Sequence, residues 1–374
     1  MPRSCGSVQN YFRQVDFYPD LRRNQAVLEG MTVAVLRGGR RAAPAPPAEI
    51  PVVVHVVHHT DADDLSSAQV ASQIAVLNED YTGANADRGN VPAPFAGLVA
   101  DPGLRFALAT ADPSGRPTDG ITRRRTDVAA FGVDDRVKAA ATGGTDAWDP
   151  ARYLNIWVCR LDGGTLGYAQ FPGGPPATDG VVVLTSAFGR GGSAVAPFDR
   201  GRTTTHEVGH YLNLSHIWGE ARVPTCTDSD SVDDTPNQWG PNFGKPTFPS
   251  GSCDNGPDGD LFCNYMDYVD DDAMVMFTRQ QVARMHAALE FSRPGLGRPG
   301  PDPAADGRGA GAPAAGAGAP GEGAARGSAA AEGAAGAAPG LEGAAGAAAG
   351  SEGAAPPAPR RTRTVTRRSR PTAT

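Results

Sequence analysis

The stretch His206-Glu207-Val208-Gly209-His210-Tyr211-Leu212-Asn213-Leu214-Ser215-His216 has the pattern of a metal-binding helix that ends in a turn. Residues four apart on a helix lie on one face about one turn apart, so His206 and His210 can reach the same ion. Imidazole nitrogens suit zinc at about 2.0–2.1 Å, and a catalytic zinc keeps one position open for water. The metal makes that water more acidic, so Glu207, beside the first histidine, can take its proton and later return it to a leaving amine.

A third histidine follows shortly after the second. His216 cannot share the helix face unless the chain turns back. Asn213 is the best non-glycine residue for the left-handed conformation that such a turn requires. We therefore predict a helix capped by Thr203–Thr205 that stops at Asn213 and delivers His216 as the third ligand. An isolated His-Glu-x-x-His pattern also occurs in ordinary helices, but the helix-stopping Asn and the third His favour a metal site.

The hydrophobic pattern around this motif predicts a mixed body of strands and helices. Valines at 52, 53, 54, 56 and 57 are nearly continuous, as in a buried central strand. A capping box at Ser66 predicts a helix that extends to Tyr81, and another at Thr278 predicts a last helix that stops before Pro294. Further strands are predicted over 104–109, 153–161, 165–172 and 180–185, and residues 217–262 have no long periodicity.

Two segments of the chain resemble the metzincin metalloproteases, and specifically their pappalysin branch. The first is HEVGHYLNLSHIW at 206–218, in which Asn213 stands where most metzincins have Gly. The second is Asn264-Tyr265-Met266-Asp267-Tyr268, which is similar to the Met-turn of these enzymes. The resemblance covers roughly residues 47–292.

The resemblance implies an α+β fold of two lobes, with a substrate cleft between them. The upper lobe, 47–216, would hold a twisted, mostly parallel five-stranded sheet with an antiparallel edge strand, together with two helices. The lower lobe, 217–292, would be loop-rich and contain the Met-turn and the C-terminal helix. Met266 would form the apolar floor under the zinc, and Tyr268 would help to stabilise the oxyanion.

In this family the edge strand binds the substrate backbone as an added antiparallel strand. Five residues are thereby implied to line the cleft: Gly167, Tyr168, Ala169, Gln170 and Phe171. The implied reaction is hydrolysis of a peptide bond by a metal-activated water, with Glu207 as general base and acid. Two other functions fit a zinc site: a proteolytically inactive, zinc-stabilised surface or binding protein, and a zinc hydrolase of non-peptide substrates. The intact Glu207 and the edge strand favour the endopeptidase.

The segment 226–263 is rich in carboxylates, which are the hard oxygen ligands that calcium prefers. The pappalysin resemblance implies a calcium site near Asp233, Asp234 and Thr235. A solvated acidic loop is the alternative interpretation.

The chain has five cysteines, so at least one is unpaired or bonds to another chain. Family members close the acidic loop by a disulfide, which would pair Cys226 with Cys253. Cys263 is then either free and buried or a competitor for one of these partners, and Cys159 is most simply a small core residue. Some metzincin zymogens are held latent by a leader cysteine on the metal, so Cys5 is either such a latency switch or a free thiol on the terminus.

Both ends of the chain differ in composition from the middle. Residues 1–46 are polar and Arg-rich and close with a Pro/Ala run, which is typical of a linker or an excised, pro-peptide-like leader rather than a packed element. Residues 293–374 are mostly Ala, Gly and Pro with a recurring EGAA segment, and predict a disordered tail. The Arg-rich end of the tail is either a solvated charged segment or a weak tether to an anionic surface.

Charge and hydropathy argue against several classes of protein. The chain has 34 Lys and Arg against 41 Asp and Glu, a net charge of −7, which argues against a reader of duplex nucleic acid. No apolar run approaches the ~20 residues that a membrane helix needs. We expect a monomer that acts on protein or peptide substrates. The implied disulfide, calcium site and family indicate secretion, although the start MPRSCGSVQN lacks the apolar core of a signal peptide.

Overall fold

Five α-helices alternate with short strands in residues 2–38, 49–221 and 223–297, which are the residues that a computed structural model describes. The helices are α1 (Ser7–Phe17), α2 (Asp20–Leu36), α3 (Ser67–Tyr81), α4 (Arg202–Tyr211) and α5 (Arg279–Phe291). The strands are β1 (Ile50–His58), β2 (Val99–Ala100), β3 (Phe106–Leu108), β4 (Ile121–Arg125), β5 (Leu154–Cys159), β6 (Gly167–Ala169), β7 (Val181–Leu184), β8 (Phe243–Gly244), β9 (Tyr268–Val269) and β10 (Phe277–Thr278). The predicted tail lies outside the described residues from position 298 onward. Nowhere in the described ranges does a helix combine the length and the apolar character that a membrane crossing demands.

The valine-rich segment forms β1, an inner strand of a sheet with the order β3-β1-β5-β7-β6. β1 pairs in parallel with β5, and β5 pairs in parallel with β7. On the other side of β1, β3 pairs with the first residues of the strand and β4 with the last. β6 closes the sheet as an antiparallel edge. The five expected strand positions are therefore present, and β3 and β4 share one of them.

β4 has no hydrophobic signal in the sequence. Its segment Ile-Thr-Arg-Arg-Arg carries one apolar residue, and none of its residues is fully buried. An outer strand with a solvated face tolerates such residues. Pairing with the buried β1, from Val54 opposite Ile121 to His58 opposite Arg125, is what makes the segment a strand.

One face of the sheet carries the main core, because α3 and α4 pack against it. Val52, Val54 and Val56 point to this face, since residues two apart in a strand share a side. The opposite face buries a second cluster around Trp157 and Tyr168. α4 contacts β6 and β7, so the histidine motif lies beside the edge strand.

Two of the predicted helix caps are present, and a third is not. The Ser66 side chain accepts a hydrogen bond from the Gln69 N–H (3.1 Å), and Thr278 opens a capping box at α5. α4 instead begins after Gly201, which has a φ of 77° and no side-chain cap. The predicted cap at Thr203–Thr205 is wrong, because these threonines lie inside a fully buried helix and two of their hydroxyls donate to side chains of α3.

Residues 2–38 form two packed helices. The Pro/Ala run at 42–47, which is predicted to be a linker or an excised leader rather than a packed element, lies outside the described residues. α1 buries Ser7, Asn10 and Gln14, three polar residues at helical spacing. α2 packs along α5 and buries Leu21, Leu28 and Thr32. A polar contact face produces no hydrophobic periodicity, which is why the sequence pattern does not reveal α1.

The segment between α4 and α5 is loop-rich, as expected. Its described strands, β8, β9 and β10, have two residues each. β8 pairs with β9, and β10 pairs with β2, which precedes α4 in the chain. A disulfide joins Cys226 to Cys253, with a Cα–Cα distance of 5.4 Å. Cys263 and Cys159 are free and buried. The pairing that the family resemblance implies is therefore present, and Cys263 does not compete for it.

Candidate active site

Three histidine side chains meet beside α4. His206 and His210 lie one turn apart on the helix, and His216 comes from the turn that follows. The Nε2 atoms of His206 and His216 each lie 3.2 Å from Nε2 of His210. All three residues are buried. The fold thus brings the three predicted ligands to one point inside the protein.

Hydrogen bonds to the outer ring nitrogens set the protonation of the first two histidines. His206 Nδ1 lies 2.7 Å from the carbonyl oxygen of Tyr265, and His210 Nδ1 lies 2.7 Å from that of Leu214. A carbonyl can only accept, so each Nδ1 carries the proton and each Nε2 presents a lone pair. Both lone pairs therefore face the meeting point.

The third histidine is oriented by residues that follow it directly. The carboxylate of Glu220 accepts from the backbone N–H of His216 (2.9 Å) and lies 2.9 Å from His216 Nδ1. The Trp218 ring stacks on the His216 ring at 4.4 Å with an angle of 9° between the planes. Glu220 is not among the residues that the motif predicts; its spacing of four residues from His216 is the signal that could have indicated it.

This donor set fits a transition metal. Lone pairs of neutral imidazoles that face each other repel unless a cation lies between them, and two nitrogens bound tetrahedrally at 2.0–2.1 Å lie about 3.3 Å apart. Burial first, and then neighbouring histidines, lower the pKa of His206 and of His210 well below the usual value, so both stay neutral. Within the described ranges, the group of His, Cys, Asp and Glu residues close enough to hold a metal consists of these three histidines and Cys5.

Asn213 adopts the left-handed conformation that the sequence predicts, with a φ of 70°. The turn is closed by a hydrogen bond from the Leu214 N–H to the carbonyl of Gly209 (3.0 Å). The Asn213 carbonyl accepts from Nε of Arg284 on α5 (3.3 Å). The chain reverses at this point, which brings His216 back to the helix.

Glu207 projects from α4 toward β6. A Cβ at Gly167 would lie 2.8 Å from Cγ of Glu207, so only glycine leaves room for this side chain. Burial raises the pKa of Glu207 to about 7, although hydrogen bonds from Ser7 and Cys5 oppose the shift. The Ser7 hydroxyl donates to Glu207 Oε2 (2.9 Å). The candidate base is thus present but covered by a residue of the leader.

The Met-turn packs under α4. A Cβ at Gly209 would lie 2.5 Å from Sδ of Met266, which shows how closely the fully buried methionine approaches the helix. The carbonyl that orients His206 belongs to Tyr265, and the hydroxyl of the same tyrosine donates to Asp80 of α3 (2.7 Å). The turn therefore fixes the orientation of the His206 ring and is itself anchored to the upper lobe.

Tyr268 stands next to the ligand rings. Its ring centre lies 5.1 Å from that of His216 and 5.7 Å from that of His206. The hydroxyl accepts from the backbone N–H of Cys5 (3.2 Å). Burial, followed by the charges of Cys5 and Glu207, raises the pKa of Tyr268 well above its usual value, so the hydroxyl remains a neutral donor.

The edge strand and the segment after it turn alternate side chains toward the histidines. Gly167, Ala169 and Phe171 face α4. Tyr168 and Gln170 face away: the tyrosine packs in the core behind the sheet, and the glutamine amide donates to the loop that follows. Of the five residues expected along the cleft, these two can contribute main-chain atoms only.

The leader occupies the open side of β6. The Gly6 N–H donates to the carbonyl of Gly167, and the Leu166 N–H donates to the carbonyl of Ser4, both at 2.9 Å. The bridge between Cys5 and Gly167 is parallel. The leader therefore runs in the same direction as β6, opposite to an added antiparallel strand.

Cys5 is the leader residue that reaches the histidines. Its Sγ and the three imidazole nitrogens all lie within 4.8 Å of one another. Sγ also lies 3.4 Å from Glu207 Oε2. Burial and then the Glu207 charge raise the pKa of the Cys5 thiol well above its usual value, whereas a cation at the histidines would favour the thiolate.

Arg3 fills a closed pocket beside this site. Its guanidinium donates to the carboxylate of Asp271 (2.5 Å), to the hydroxyl of Thr203 (3.0 Å) and to the carbonyl of Val269 (3.1 Å). Both charged side chains are almost completely buried. Asp271 also accepts backbone N–H groups at the start of α4. The sequence signal for this pair, a run of three aspartates at 270–272, does not indicate which carboxylate points inward.

The residues predicted near calcium lie in a tight turn before α5. Asp234 accepts from the Thr278 hydroxyl (2.7 Å) and so supports the start of that helix, while the Asp233 N–H donates to the same helix end. The Thr235 hydroxyl donates to Asp230 (2.8 Å). The second oxygen of Asp230 is buried without a hydrogen-bond partner, and burial raises the pKa of this carboxyl to about 7.

Comparison with known proteins identifies relatives of the whole described body. The peptidase family model described as Pregnancy-associated plasma protein-A matches residues 139–290. An extracellular metalloprotease of Arthroderma gypseum is 32% identical over 245 residues, which cover 63% of this chain and 71% of that protein. Extracellular metalloprotease 1 of Coccidioides posadasii is 32% identical over 305 residues, which cover 78% of this chain and 91% of that protein.

Two solved structures of Tannerella forsythia proteins are also similar. A promirolysin mutant shares 43% identity at a TM-score of 0.71, covering 79% of this chain and 100% of its own. Mature mirolysin in complex with a cleaved peptide shares 47% identity at a TM-score of 0.64, covering 68% of this chain and 100% of its own. With the histidine motif and the Met-turn in the geometry described above, these matches show that the chain belongs to the pappalysin family of zinc-dependent metalloendopeptidases.

Proposed function

We propose that His206, His210 and His216 hold the catalytic zinc of this endopeptidase and that Glu207 is its general base and acid. The observation that carries the proposal is the convergence of three imidazole Nε2 atoms, at 3.2 Å, beside a buried carboxylate. When bound, zinc supplies a Lewis acid that makes a water molecule acidic and polarises the scissile carbonyl. A purely structural zinc site would not require Glu207, so the carboxylate favours the enzyme over the inactive binding protein.

Residues of the chain supply the other steps. The main chain of 167–171 pairs with the substrate as an antiparallel strand and holds the scissile bond over Glu207. Glu207 takes a proton from the attacking water and returns it to the leaving amine. The neutral hydroxyl of Tyr268 donates to the oxygen on which negative charge develops. Met266 and Asn213 act indirectly, because they support the helix and the turn that carry the histidines.

Replacing Glu207 tests this mechanism. Glu207→Gln should keep the metal and lower kcat on a fluorogenic peptide by about 10²–10⁴-fold, because the side chain is a proton carrier and not a ligand. Metal content and turnover are measured on the same preparation, after the leader has been cut from the folded chain.

Glu220→Gln is the matched control. It removes the carboxylate behind His216, so it should weaken metal affinity by about 10–100-fold. Excess zinc should then return the turnover of this variant to the wild-type level. A Glu207→Gln protein with full metal and unchanged kcat rules out the proposed role.

We further propose that residues 1–46 are a pro-segment that keeps the catalytic domain, 47–292, latent. Three leader contacts support this: Cys5 Sγ lies at the histidines, the Ser7 hydroxyl donates to Glu207, and the Cys5 N–H donates to the Tyr268 hydroxyl. The parallel direction also supports it, because a peptide bond presented backwards does not align with the attacking water. Promirolysin matches a larger share of this chain than mature mirolysin does, which agrees with a leader of this kind.

A cysteine substitution measures the contribution of the thiol to latency. The full chain with Cys5→Ala should cleave a fluorogenic peptide at least about tenfold faster than the wild-type full chain, because a thiolate is a strong zinc ligand and alanine leaves its position to water. Ser4→Ala is the control, since Ser4 contacts β6 through its carbonyl and should stay latent. A wild-type full chain that is as active as Cys5→Ala contradicts latency through Cys5.

The Arg3 pocket suggests which substrates are cleaved. A substrate strand that runs antiparallel to β6 places the part after the cut at the Leu166 end, where Arg3 lies in the full chain. Asp271 then remains at the base of the vacated pocket. We therefore propose protein and peptide substrates with arginine or lysine directly after the cleaved bond.

A neutral substitution at the pocket base tests this preference. After removal of the leader, the wild-type enzyme should cleave a peptide with Arg after the cut about 10–100-fold better, in kcat/KM, than the same peptide with Gln, since hydrogen bonds between charged groups contribute roughly 1.5–3 kcal/mol. Asp271→Asn should abolish most of the difference. Asp272→Asn, which removes a neighbouring carboxylate that is 27% exposed and paired with Lys245, should leave the difference between the two peptides intact. Equal rates for the two peptides with wild type contradict the preference.

We also propose that calcium binds the turn 230–235. The support is the buried Asp230 oxygen without a partner, together with the carboxylates of Asp233 and Asp234 and the hydroxyl of Thr235 in the same turn. Carboxylate oxygens that already accept one hydrogen bond keep a lone pair for a cation.

The calcium proposal predicts a metal-dependent stability. Calcium at millimolar concentration should raise the Tm of the full chain, magnesium should not reproduce the shift, and Asp230→Asn should remove it. Asp258→Asn, in the same loop but outside the turn, should behave as wild type. A wild-type Tm that calcium does not change contradicts a site in this turn.

The relatives described as extracellular support secretion, and the disulfide between Cys226 and Cys253 suits an oxidising compartment. We propose that the enzyme acts outside the cell, as a monomer, on proteins or peptides.

A further inference from the structure

We propose that Arg284, once the leader has left, is a binding site for an acidic side chain in the part of the substrate that precedes the cut. The inference rests on the proposed function, because it requires that the leader leaves the cleft. In the full chain, the carboxylate of Glu29 takes the place of that acidic side chain.

Arg284 is a buried cation whose main partner belongs to the leader. Its two terminal nitrogens donate to the two oxygens of Glu29 at 2.9 and 2.8 Å, the paired geometry in which Arg binds carboxylates best. Only 3% of Arg284 is exposed. Its Nε donates to the carbonyl of Asn213 (3.3 Å), which holds the guanidinium in a fixed plane.

The Arg284–Glu29 pair borders a cavity of about 370 Å³ that extends to Phe171, at the end of the edge segment. One wall is formed by Phe171, Asn213, Ser215 and Glu220, which belong to the catalytic domain. The Phe171 ring also lies 5.2 Å from the ring of the ligand His210. The opposite wall consists of residues from α1 and α2, so the departure of the leader opens the cavity toward the bound substrate.

Loss of Glu29 leaves the guanidinium short of acceptors. The carbonyls of Asn213 and Ser231 each accept a hydrogen bond from one nitrogen of Arg284. The buried carboxylate of Asp230 also attracts the guanidinium, but no hydrogen bond joins the two side chains in the described residues. Glu220 lines the same cavity, but its oxygens are bound to the N–H and Nδ1 of His216. The Asn213 carbonyl keeps the guanidinium in place, so a substrate carboxylate that reaches it forms the paired hydrogen bonds that Glu29 makes in the full chain.

The direction of the edge strand fixes which part of the substrate is near. The cavity lies at the Phe171 end of the edge segment, whereas the Arg3 pocket lies at the Leu166 end. A strand antiparallel to β6 brings the residues before the cut to the Phe171 end. Acidic residues before the cut and basic residues after it would therefore be selected by two separate sites.

The test uses wild-type enzyme from which the leader has been cut after folding. A peptide series with Arg after the cut carries either Glu or Gln at one of the positions two to five residues before it. We expect kcat/KM to be about tenfold higher for Glu than for Gln at one of these positions, and the ratio to fall when NaCl is raised from about 0.05 to 0.5 M, because salt screens charges. The salt series needs no variant, so a misfolded variant would not leave the question open.

Arg284→Gln should bring the Glu/Gln ratio close to one; the ratio within each protein cancels any general loss of activity. Arg279→Gln, an exposed arginine on the same helix, is the matched control and should keep the wild-type ratio. A ratio near one at every position in the wild type, or a ratio that Arg284→Gln leaves unchanged, overturns the proposal while the proposed function stands. If no peptide of the series is cleaved, the proposed function fails and this site fails with it.

Discussion

The hydrogen bonds behind the three imidazole rings are the constraint on which the rest of the site depends. A histidine presents a lone pair at Nε2 only if its proton stays on Nδ1, and here a partner at each Nδ1 holds it there. The partners come from separate places: the Met-turn, the turn at Asn213, and Glu220 beyond the last ligand. The three Nε2 lone pairs therefore converge only when α4, the turn and the lower lobe have packed together. The motif alone supplies the nitrogens, and the fold supplies their direction.

Two glycines set the distances around this centre. Gly209 lets Met266 approach the back of α4, and Gly167 lets the Glu207 side chain pass the edge strand. A methyl group at either position would force the helix away from its neighbour by more than packed interiors tolerate. The two glycines thus fix the positions of the Glu207 carboxylate, the edge strand and the Met-turn relative to α4. In the proposed function, this arrangement sets the position of the substrate strand over Glu207.

Features that depend on residues close together in the sequence could be predicted, whereas contacts between distant segments could not. Periodicity and capping predict α3 and α5, the motif predicts the three ligands, and Asn213 predicts the turn, because each of these depends on residues a few positions apart. The family resemblance adds the Met-turn and the pair Cys226–Cys253. The contacts that no local pattern contains are those between distant segments, such as Asp80 with Tyr265 and Arg3 with Asp271. α1 is hidden for another reason, since its contact face is polar and resembles an exposed segment.

That polar face is compatible with the proposal that the leader is bound in the full chain and later removed. Three charged residues of the catalytic domain bind side chains of the leader: Asp135 binds side chains of α1, Asp271 binds Arg3, and Arg284 binds Glu29. Charged groups that lose a partner can be hydrated, whereas a large apolar face would promote aggregation once uncovered. The main core lies between the sheet and its helices and contains no residue of α1 or α2. The proposed removal of the leader would therefore expose these three charged residues and leave the main core, to which α4 contributes, without the loss of a side chain.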